Sequence, residues 1–483
     1  MKNILKINSS VIRLLVCTAA LLIPAAGCKK FLEVQLPTNQ IAAEGVFDND
    51  ASVAAVATGI FFDMVQSTYV AGRSGIGFCS ALYTDELTSL ETNPLAFTIP
   101  FYTDNITDAN TAGTWSSLYR QISSCNIAIE GINGSKALIV NKNQYLGEVY
   151  VARAWLYFNL VNLYGGVPLA LVSDYRITNT LSRSTPAQVY AQIIADAKMA
   201  ASLLPADFRD GSGATVTSRA RPNKYMAEAI LARAYLYTKD WTNAEAQATA
   251  IISNTALFKL MPPAQTFTAA GNTEMIWSLA PTGSSFVLDY SVFNGGMPAI
   301  ITSPQTILTY TVVAYLSDSQ LNVFDSGDLR FTNWIRATLD KNTNTTYYFP
   351  NKYKSSVNGV ETIAMARLSE IYLIRAEARA QQNSVSGAQA DINVIRTRAG
   401  LPNTTAASQS DLLITVEKER RCELFTESGH RFYDLKRTGK IDAVMNIAAP
   451  LKGGTWAAYK QLWPISVSDV LLDPNLVQNP GYK

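Results

Sequence analysis

The sequence predicts a mostly α-helical protein in which antiparallel helix pairs form a scaffold that carries long irregular segments. Three observations predict this class. Apolar residues recur with helical spacing in many segments, and small Ala residues repeat twelve positions apart. Two long stretches rich in Gly, Ser, Thr and aromatic residues show no helical spacing. Because amphipathic helices bury their apolar stripes against one another, the periodic segments are expected to form the core.

The clearest helix pair lies between Asn223 and Asn254. Its first apolar face follows the positions i, i+3, i+4, i+7 and i+8 at Ala227, Ile230, Leu231, Ala234 and Tyr235. After "KDW", a second face begins at Ala244, twelve residues beyond Ala232. Small residues at this spacing let two antiparallel helices approach closely, as in tetratricopeptide units. The sequence therefore predicts a tetratricopeptide-like helical-pair scaffold with a loop-rich, irregular part and few short strands.

Three further helices are predicted on the N-terminal side of this pair. One covers residues 115–132, and a second covers residues 146–164 and is ended by Gly165-Gly166. A third begins after Thr185-Pro186, which is an N-terminal cap signal, and ends before Pro205. We expect the second and third helices to pack as a pair.

A second helix pair is predicted on the C-terminal side. Its stripe consists of Met365, Leu368, Tyr372, Ala376 and Ala380, and Ala388 follows Ala376 by twelve residues. Another amphipathic helix is predicted from Leu412 to Gly429, whereas the tail after Leu435 is predicted to be irregular. The scaffold would thus lie mainly in residues 115–254 and 364–430.

The two stretches without helical spacing cover residues 69–110 and 261–353. The second contains the strand-like "EMIWSLA" and the segment "TTYYFPNKY". Stable scaffolds that carry long irregular loops commonly use those loops for recognition. The sequence therefore places ligand binding in these two regions.

The N-terminus has the pattern of an export signal. Lys2, Lys6 and Arg13 precede an apolar run from Leu14 to Ala26, which is shorter than the ~20 residues that span a membrane. We therefore expect residues 1–27 to be removed and Cys28 to become a lipidated N-terminus, since this stretch resembles a bacterial lipoprotein signal. An ordinary secreted protein with a chance cysteine is the alternative.

Charge and cysteine content exclude several classes of function. Loss of residues 1–27 removes three positive charges and no negative ones, so the formal charge changes from +2 to −1 and nucleic-acid binding is not expected. Cys79, Cys125 and Cys422 then remain, with spacings that match no zinc site. We favour three buried free thiols, and a disulfide between Cys79 and Cys125 is the alternative. No metal or cofactor is expected.

Six segments in order resemble one family, the SusD/RagB outer-membrane lipoproteins of the Bacteroidota. They are "NLYGGVPL" (162–169), "NKYMAEAILARAYLYTKDW" (223–241), "RLSEIYLIRAEA" (367–378), "DINVIRTRAGLP" (391–402), "EKERRCELFTESGHRFYDLKR" (417–437) and "LWPISVSDVLLDPNLVQNPGY" (462–482). The resemblance implies a single domain over residues 28–483. It also implies a surface-exposed protein that binds a glycan or other nutrient without catalysis and delivers it to a SusC-like TonB-dependent transporter. The helical pairs would face the transporter and the loops would hold the ligand.

Sugar binding needs flat apolar ring faces and fixed polar groups, and both residue types occur in the two loop regions. The candidates in the first region are Tyr83, Asp85, Phe97, Phe101, Tyr102, Asp104 and Asn105. The candidates in the second region are Phe286, Asp289, Tyr290, Phe293 and Asn294. The competing interpretation is that any one of these aromatic rings packs the loops together.

Two alternatives to a binding lipoprotein remain. A surface glycoside hydrolase would need two opposed carboxylates, for which Asp85 or Glu86 with Asp289 are the candidates. Glu419, Glu423 and Glu427 share one helix face and cannot lie on opposite sides of a sugar, so we interpret them, with the neighbouring arginines, as ion pairs. His430, the only histidine, is interpreted as a structural residue. The other alternative is a pure protein-interaction scaffold.

Overall fold

Helical pairs form most of the structure, as the sequence predicts. The computed structural model describes residues 45–67, 69–281 and 285–482, so the predicted signal segment 1–27 and Cys28 lie outside the described residues. Within this part of the chain, none of the helices combines the length and the apolar character needed to cross a membrane.

Nine helices and two strands make up the first half of the described chain. They are α1 (Asp50–Gln66), α2 (Ile76–Leu82), β1 (Leu87–Ser89), α3 (Thr98–Tyr102), α4 (Asp108–Gly134), α5 (Lys142–Tyr164), α6 (Tyr175–Thr178), α7 (Pro186–Leu203), α8 (Lys224–Tyr237), α9 (Trp241–Ile252) and β2 (Met275–Leu279). Helix α5 ends at Tyr164 because Gly165 adopts φ +78°, which L side chains rarely adopt. Helix α7 begins with a capping box between Thr185 and Gln188.

The second half contains shorter elements before the C-terminal helices. They are α10 (Asp289–Phe293), β3 (Ile300–Ile301), β4 (Ala314–Leu316), α11 (Asp318–Leu321), α12 (Leu329–Trp334), β5 (Ile335–Asp340), β6 (Thr345–Pro350), β7 (Ile363–Arg367), α13 (Leu368–Gln381), α14 (Val385–Arg398), α15 (Gln409–Leu424), α16 (His430–Arg437), α17 (Ile441–Leu451) and α18 (Val467–Leu472). Short 3-10 turns lie at Pro263–Gln265, Ile307–Thr309 and Ala458–Gln461.

The predicted helix pairs are confirmed. Helix α5 packs on α7, α8 packs on α9, and α13 packs on α14, while α9 and α13 join the pairs. Ala232, Ala244, Ala376 and Ala388 are all fully buried at these contacts. Small side chains therefore allow the close approach of the helices that the twelve-residue spacing predicts.

Three small sheets lie in the described part of the chain, mostly in the loop-rich regions. Strand β1 pairs antiparallel with β4, β2 pairs antiparallel with β7, and β5 joins parallel β3 to antiparallel β6. In the first sheet, Thr88 lies opposite Tyr315. A small apolar core of Met297, Ile301, Ile307, Val312 and Phe349 lies beneath this part of the molecule.

Three boundaries differ from the sequence prediction. Met365 belongs to strand β7, so the stripe of α13 begins at Leu368. The helix predicted over 412–429 ends at Leu424, because Thr426 and Gly429 adopt positive φ angles and a new helix begins at His430. The tail after Leu435 is not irregular throughout, since α17 buries Ile441, Met445 and Ala449 along one face.

The prediction of three buried thiols is confirmed. Cys79, Cys125 and Cys422 are all buried and free. Burial raises the pKa of Cys125 and of Cys422 to about 12, so both thiols are protonated at neutral pH.

Candidate functional site

Several predicted ligand residues of the first loop region are buried. The ring of Tyr83 is fully buried against Phe432 and Trp463, and its hydroxyl donates to the Lys460 carbonyl at 3.0 Å. Phe101 is 1% exposed and packs against Trp463, with ring centroids 5.4 Å apart. Neither ring offers a face to solution, so the packing interpretation holds for both.

The acidic residues of the same region are held by cations. Asp85 accepts from Arg431 at 2.8 Å and from Arg421 at 3.1 Å. Burial acts to raise the pKa of Asp85, but the two arginines outweigh it and hold the pKa well below its usual range. Asp104 accepts from Lys452 at 3.0 Å, and burial raises its pKa to about 6 against the effect of that lysine. These carboxylates fasten the first loop region to the C-terminal segment.

The second loop region is divided between buried and half-exposed candidates. Phe293 is 5% exposed and packs on Phe78. The Asp289 carboxylate accepts from the Gly72 amide at 2.6 Å, and burial raises its pKa to about 6. Phe286 and Tyr290 remain half-buried and contact each other edge to face, with centroids 5.4 Å apart.

Asn294 completes this second group. Its Oδ1 accepts from Arg336 Nη1 at 2.6 Å, and its Nδ2 donates to Asn351 Oδ1 at 3.0 Å. The amide is therefore oriented by protein partners on both sides. In the first region, Phe97 is half-buried on Phe101, and Asn105 is exposed.

One predicted residue, Tyr102, joins a cluster that spans both loop regions. We call Tyr102, Tyr315 and Tyr347 the tyrosine patch; all three rings are half-buried. Tyr102 ends α3, Tyr315 lies in β4, and Tyr347 lies in β6. The rings of Tyr315 and Tyr347 meet edge to face, with centroids 5.1 Å apart and planes at 82°. The fold thus gathers partly exposed rings from three separate elements.

Thr88 links the patch through hydrogen bonds. Both Tyr102 and Tyr315 hydrogen-bond with its side chain. Burial raises the pKa of both phenols. The contact with Thr88 lowers each pKa, but by a smaller amount. The phenols are therefore protonated at neutral pH and can both donate and accept hydrogen bonds.

Buried groups beneath the patch hold it in place. Phe349 is fully buried and contacts both Tyr315 and Tyr347, with centroids 6.4 Å away in each case. The Lys452 ammonium lies 5.8 Å from the Tyr102 ring centroid and donates to the carbonyls of Leu82 and Thr84. A patch whose rotamers are set by packing can bind a ligand with little loss of side-chain entropy.

The half-buried residues of the second loop region lie near this patch. Helix α10, which carries Tyr290, packs against β4, which carries Tyr315. The Gly295 backbone approaches the Thr311 hydroxyl so closely that an added Cβ would come within 2.6 Å of it. We therefore consider Phe286, Tyr290 and Asn294 as neighbours of the tyrosine patch.

Tyr315 and Tyr347 were not among the residues singled out from the sequence. The segment "TTYYFP" carried part of the signal, because alternation in a strand places Tyr347 and Phe349 on one face. Nothing local indicates which of the two rings is buried, or that β4 lies beside β6. This information comes from contacts distant in sequence.

Glu423 and Glu427 form structural ion pairs, as the sequence predicts, but α15 ends at Leu424, so Glu427 does not share a helix face with Glu419 and Glu423. Their partners also differ from those predicted. Glu423 pairs with Arg330, Arg367 and Arg398, and Glu427 pairs with Lys352 at 2.5 Å. These cations come from other elements. The interleaved Arg421 and Arg431 pair with Asp85 instead.

Two of the carboxylates considered for hydrolysis line small cavities. Asp289 lines a cavity of about 20 Å³, and Glu86 lines one of about 10 Å³. Each has room for about one water molecule. Burial raises the pKa of Glu86 to about 7, which follows from its enclosure among apolar and charged neighbours and does not need a catalytic role.

Two family profiles match the chain. The SusD family matches residues 306–482, and a family described as starch-binding associating with outer membrane matches residues 30–236. Among curated proteins, the chain is similar to SusD-like protein P38 of Formosa agariphila. The two are 24% identical, over 94% of this chain and 96% of that protein.

Solved structures share the fold. A SusD superfamily protein from Bacteroides vulgatus superposes with a TM-score of 0.75 at 18% identity, over 90% of this chain and 99% of the other. A laminarin binding SusD-like protein superposes with a TM-score of 0.73 at 24% identity, over 90% of this chain and 100% of the other. At these identities the likeness establishes the architecture.

Proposed function

Because the chain belongs to the SusD/RagB family, whose proteins bind ligands without catalysis, we propose that it is a glycan-binding lipoprotein of the cell surface. In this role it delivers oligosaccharide or polysaccharide to a SusC-like TonB-dependent transporter. The family's outer-membrane association and the name of the laminarin binding structural relative support this proposal.

The tyrosine patch is the observation that carries the proposal. Its ring faces suit the C–H edges of sugar rings, and its phenols suit the hydroxyl groups. Phe349 supports Tyr315 and Tyr347, and Lys452 lies against the Tyr102 ring, so a glycan would meet an ordered surface. Phe286, Tyr290, Asn294, Phe97 and Asn105 remain candidates for the surrounding contacts, whereas the buried Tyr83, Asp85, Phe101, Asp104 and Phe293 support the loops.

Single substitutions in the patch test the proposal. The full-length protein and its Tyr315→Ala variant would be titrated with laminarin and with starch oligosaccharides, the glycans named for its relatives, and then applied to a glycan array. We expect Tyr315→Ala to weaken binding at least about tenfold, which corresponds to ~1.4 kcal/mol, because it removes a ring face. Tyr315→Phe keeps the ring and should lose less.

Tyr175→Ala provides the matched control. Tyr175 is 68% exposed on α6 and belongs to neither loop region, so its loss should leave glycan affinity unchanged. Equal affinity of the Tyr315→Ala variant and the wild type for every bound glycan would contradict the role of the patch. Release of reducing ends from a bound glycan would contradict a non-catalytic function.

The transporter partner is proposed on the family assignment alone. Purification of the tagged protein from outer membranes, followed by mass spectrometry, should recover a TonB-dependent barrel in stoichiometric amount. A pure interaction scaffold would recover the barrel and show no glycan binding on the array. That result would favour the scaffold over the glycan-binding protein.

A further inference from the structure

A cavity elsewhere in the described chain shares no residue with the tyrosine patch. Its volume is about 520 Å³, and it lies between the segment before α8 and the ends of strands β2 and β7. The lining contains Arg219 and many small polar residues, among them Thr217, Ser278 and Thr362. Among the described residues, no Asp or Glu lines it.

Arg219 is a cation without a carboxylate partner among the described residues. Its Nη1 donates to the Met275 carbonyl at 3.2 Å, and its Nη2 donates to the Leu257 carbonyl at 2.9 Å. Its Nε is buried and makes no hydrogen bond to the described part of the chain. The guanidinium lies 4.1 Å from the Phe208 ring centroid, which holds it in place.

The carboxylates nearest in sequence to the cavity lining are engaged elsewhere. Glu274 pairs with Arg367 and Arg398, and Glu361 accepts from the backbone amides of Lys354 and Ser355. Burial lowers the pKa of Arg219 to about 10, and no carboxylate acts in the opposite direction. The described lining of the cavity therefore contains one cationic residue and no acidic one.

Three uncommitted hydroxyls line the same cavity as Arg219. The side chains of Thr217, Ser278 and Thr362 line the cavity and make no hydrogen bond to the described residues. Arginine recognises planar or tetrahedral oxyanions through several N–H donors at once, and neighbouring hydroxyls can donate to the same oxygens. A neutral apolar ligand would leave these donors unpaired, which costs free energy.

We propose that this cavity binds the anionic group, a carboxylate or a sulfate, of an acidic sugar. Arg219 supplies the charge, and Thr217, Ser278 and Thr362 supply further donors. The volume of about 520 Å³ falls in the range of small-ligand pockets. This inference goes beyond the glycan binding proposed at the tyrosine patch, because it assigns a second site and the charge of its ligand.

Ligand-detected NMR titration tests the site with three matched probes. Glucuronate and glucose 6-sulfate carry the two anions, and glucose is the neutral reference, all at one ionic strength set with sodium chloride. We expect saturable binding of at least one anionic sugar, at least about tenfold tighter than glucose. The tighter of the two anionic sugars identifies the group that the cavity prefers.

Variants locate the binding. Arg219→Gln should lose the preference for the anion, but Arg219 also bridges two carbonyls, so this variant alone does not separate lost binding from lost folding. Ala270→Asp avoids that problem, because Ala270 is exposed and lines the cavity, and its new carboxylate should weaken anion binding at least about tenfold. Ala264→Asp makes the same charge change at an exposed residue outside the lining and should leave binding unchanged.

Two results would overturn the inference. One is equal binding of glucose and both anionic sugars, or no binding of any of them. The other is anion binding that survives Ala270→Asp unchanged. Tyr315→Ala should leave glucuronate and glucose 6-sulfate binding intact, so failure at this cavity and failure at the tyrosine patch are distinguishable.

Discussion

At the residue scale, Glu423 shows how this protein holds charge in its interior. The side chain is fully buried, and arginines from α12, β7 and α14 surround it. Burial acts to raise its pKa, but Arg398, Arg367 and Arg330 outweigh it and hold the pKa well below the usual range. The carboxylate thus joins four elements through charge-assisted hydrogen bonds.

Removal of this carboxylate should be costly. We expect Glu423→Ala to lower the free energy of unfolding by about 3–5 kcal/mol, because three buried guanidinium groups lose a shared partner. Glu245→Ala is the control: its half-exposed ion pair with Arg379 should contribute less than about 1 kcal/mol. Urea unfolding monitored by circular dichroism measures both. Similar losses for the two variants would contradict a structural role for the buried cluster.

His430 is buried beside another charged cluster. Its Nε2 lies 3.9 Å from Glu370 Oε2, and its Nδ1 has no partner among the described residues. Burial lowers its pKa to about 4, although Glu370 acts in the opposite direction. The histidine is therefore neutral at physiological pH, as a structural role requires.

The single histidine allows a direct measurement. In tag-free protein, the one imidazole Hε1 resonance should stay constant from pH 8 to about 5.5 and shift only near pH 4. An unfolded histidine titrates near 6.5, so between about 6.5 and 4 the unfolded state binds more protons. Stability should therefore fall as the pH is lowered through this window, and His430→Gln should reduce that dependence. A midpoint near 6.5 would contradict the burial argument.

Residue chemistry predicted part of the candidate site and missed the rest. Tyr102, one of the loop aromatic residues selected from the sequence, belongs to the tyrosine patch. Tyr83 and Phe101, which look the same in sequence, are buried beneath the loops. Exposure of a ring depends on which distant residues cover it, here Trp463 and Phe432 from the C-terminal segment. Loop composition contains no information about those residues.

At the element scale, alanine spacing determines how closely the helices approach. Ala388 on α14 is fully buried in a small core with Ala376, Ala380 and Val416. Leu412 from α15 closes the same core. The spacing could be recognised in the sequence because it repeats. Small residues repeated at this interval commonly allow two helices to pack closely.

A larger side chain at this contact should separate the helices. We expect Ala388→Leu to destabilise the protein by about 1–3 kcal/mol, because the core has no room for three more carbons. Ala390→Leu on the same helix is exposed and should change stability by less than about 0.5 kcal/mol. Thermal unfolding of the two variants measures the difference. Equal melting temperatures would show that α13 and α14 are not closely packed at Ala388.

Helix ends were harder to predict than helix positions. The capping box at Thr185 and the Gly165 stop are encoded locally and were predicted. The break between α15 and α16 was not predicted. It depends on positive φ angles at Thr426 and Ser428, which residues other than glycine rarely adopt. Tertiary contacts hold that turn, since the Thr426 carbonyl lies against Gly77 of α2 so closely that an added Cβ would come within 2.5 Å.

At the scale of the whole molecule, the proposed location depends on one residue outside the described chain. Lipidation at Cys28 would replace the short apolar segment as the membrane anchor. The described residues contribute no membrane-spanning helix of their own. The N-terminal lipid would thus hold the binding surface at the membrane.

Substitution of Cys28 tests this anchor. In the native host, Cys28→Ser should move the protein from the membrane fraction to the soluble fraction, since no diacylglycerol can be attached. Cys125→Ser changes a buried thiol in the body and should leave the protein membrane-bound. Immunoblots of fractionated cells measure both. A Cys28→Ser variant that stays in the membrane would favour an uncleaved apolar anchor.

The sequence by itself determined the helical pairs, their alanine contacts and the buried thiols, and it predicted the resemblance to the SusD/RagB family. These features repeat or rest on local spacing, so they can be recognised without knowledge of distant contacts. Only the tertiary structure decided that Tyr315 meets Tyr347 near Tyr102, that Tyr83 and Phe101 are covered, and that Arg219 lines a cavity with no Asp or Glu in its described lining. The physical reason is that exposure and electrostatic pairing depend on residues that lie hundreds of positions apart in the chain.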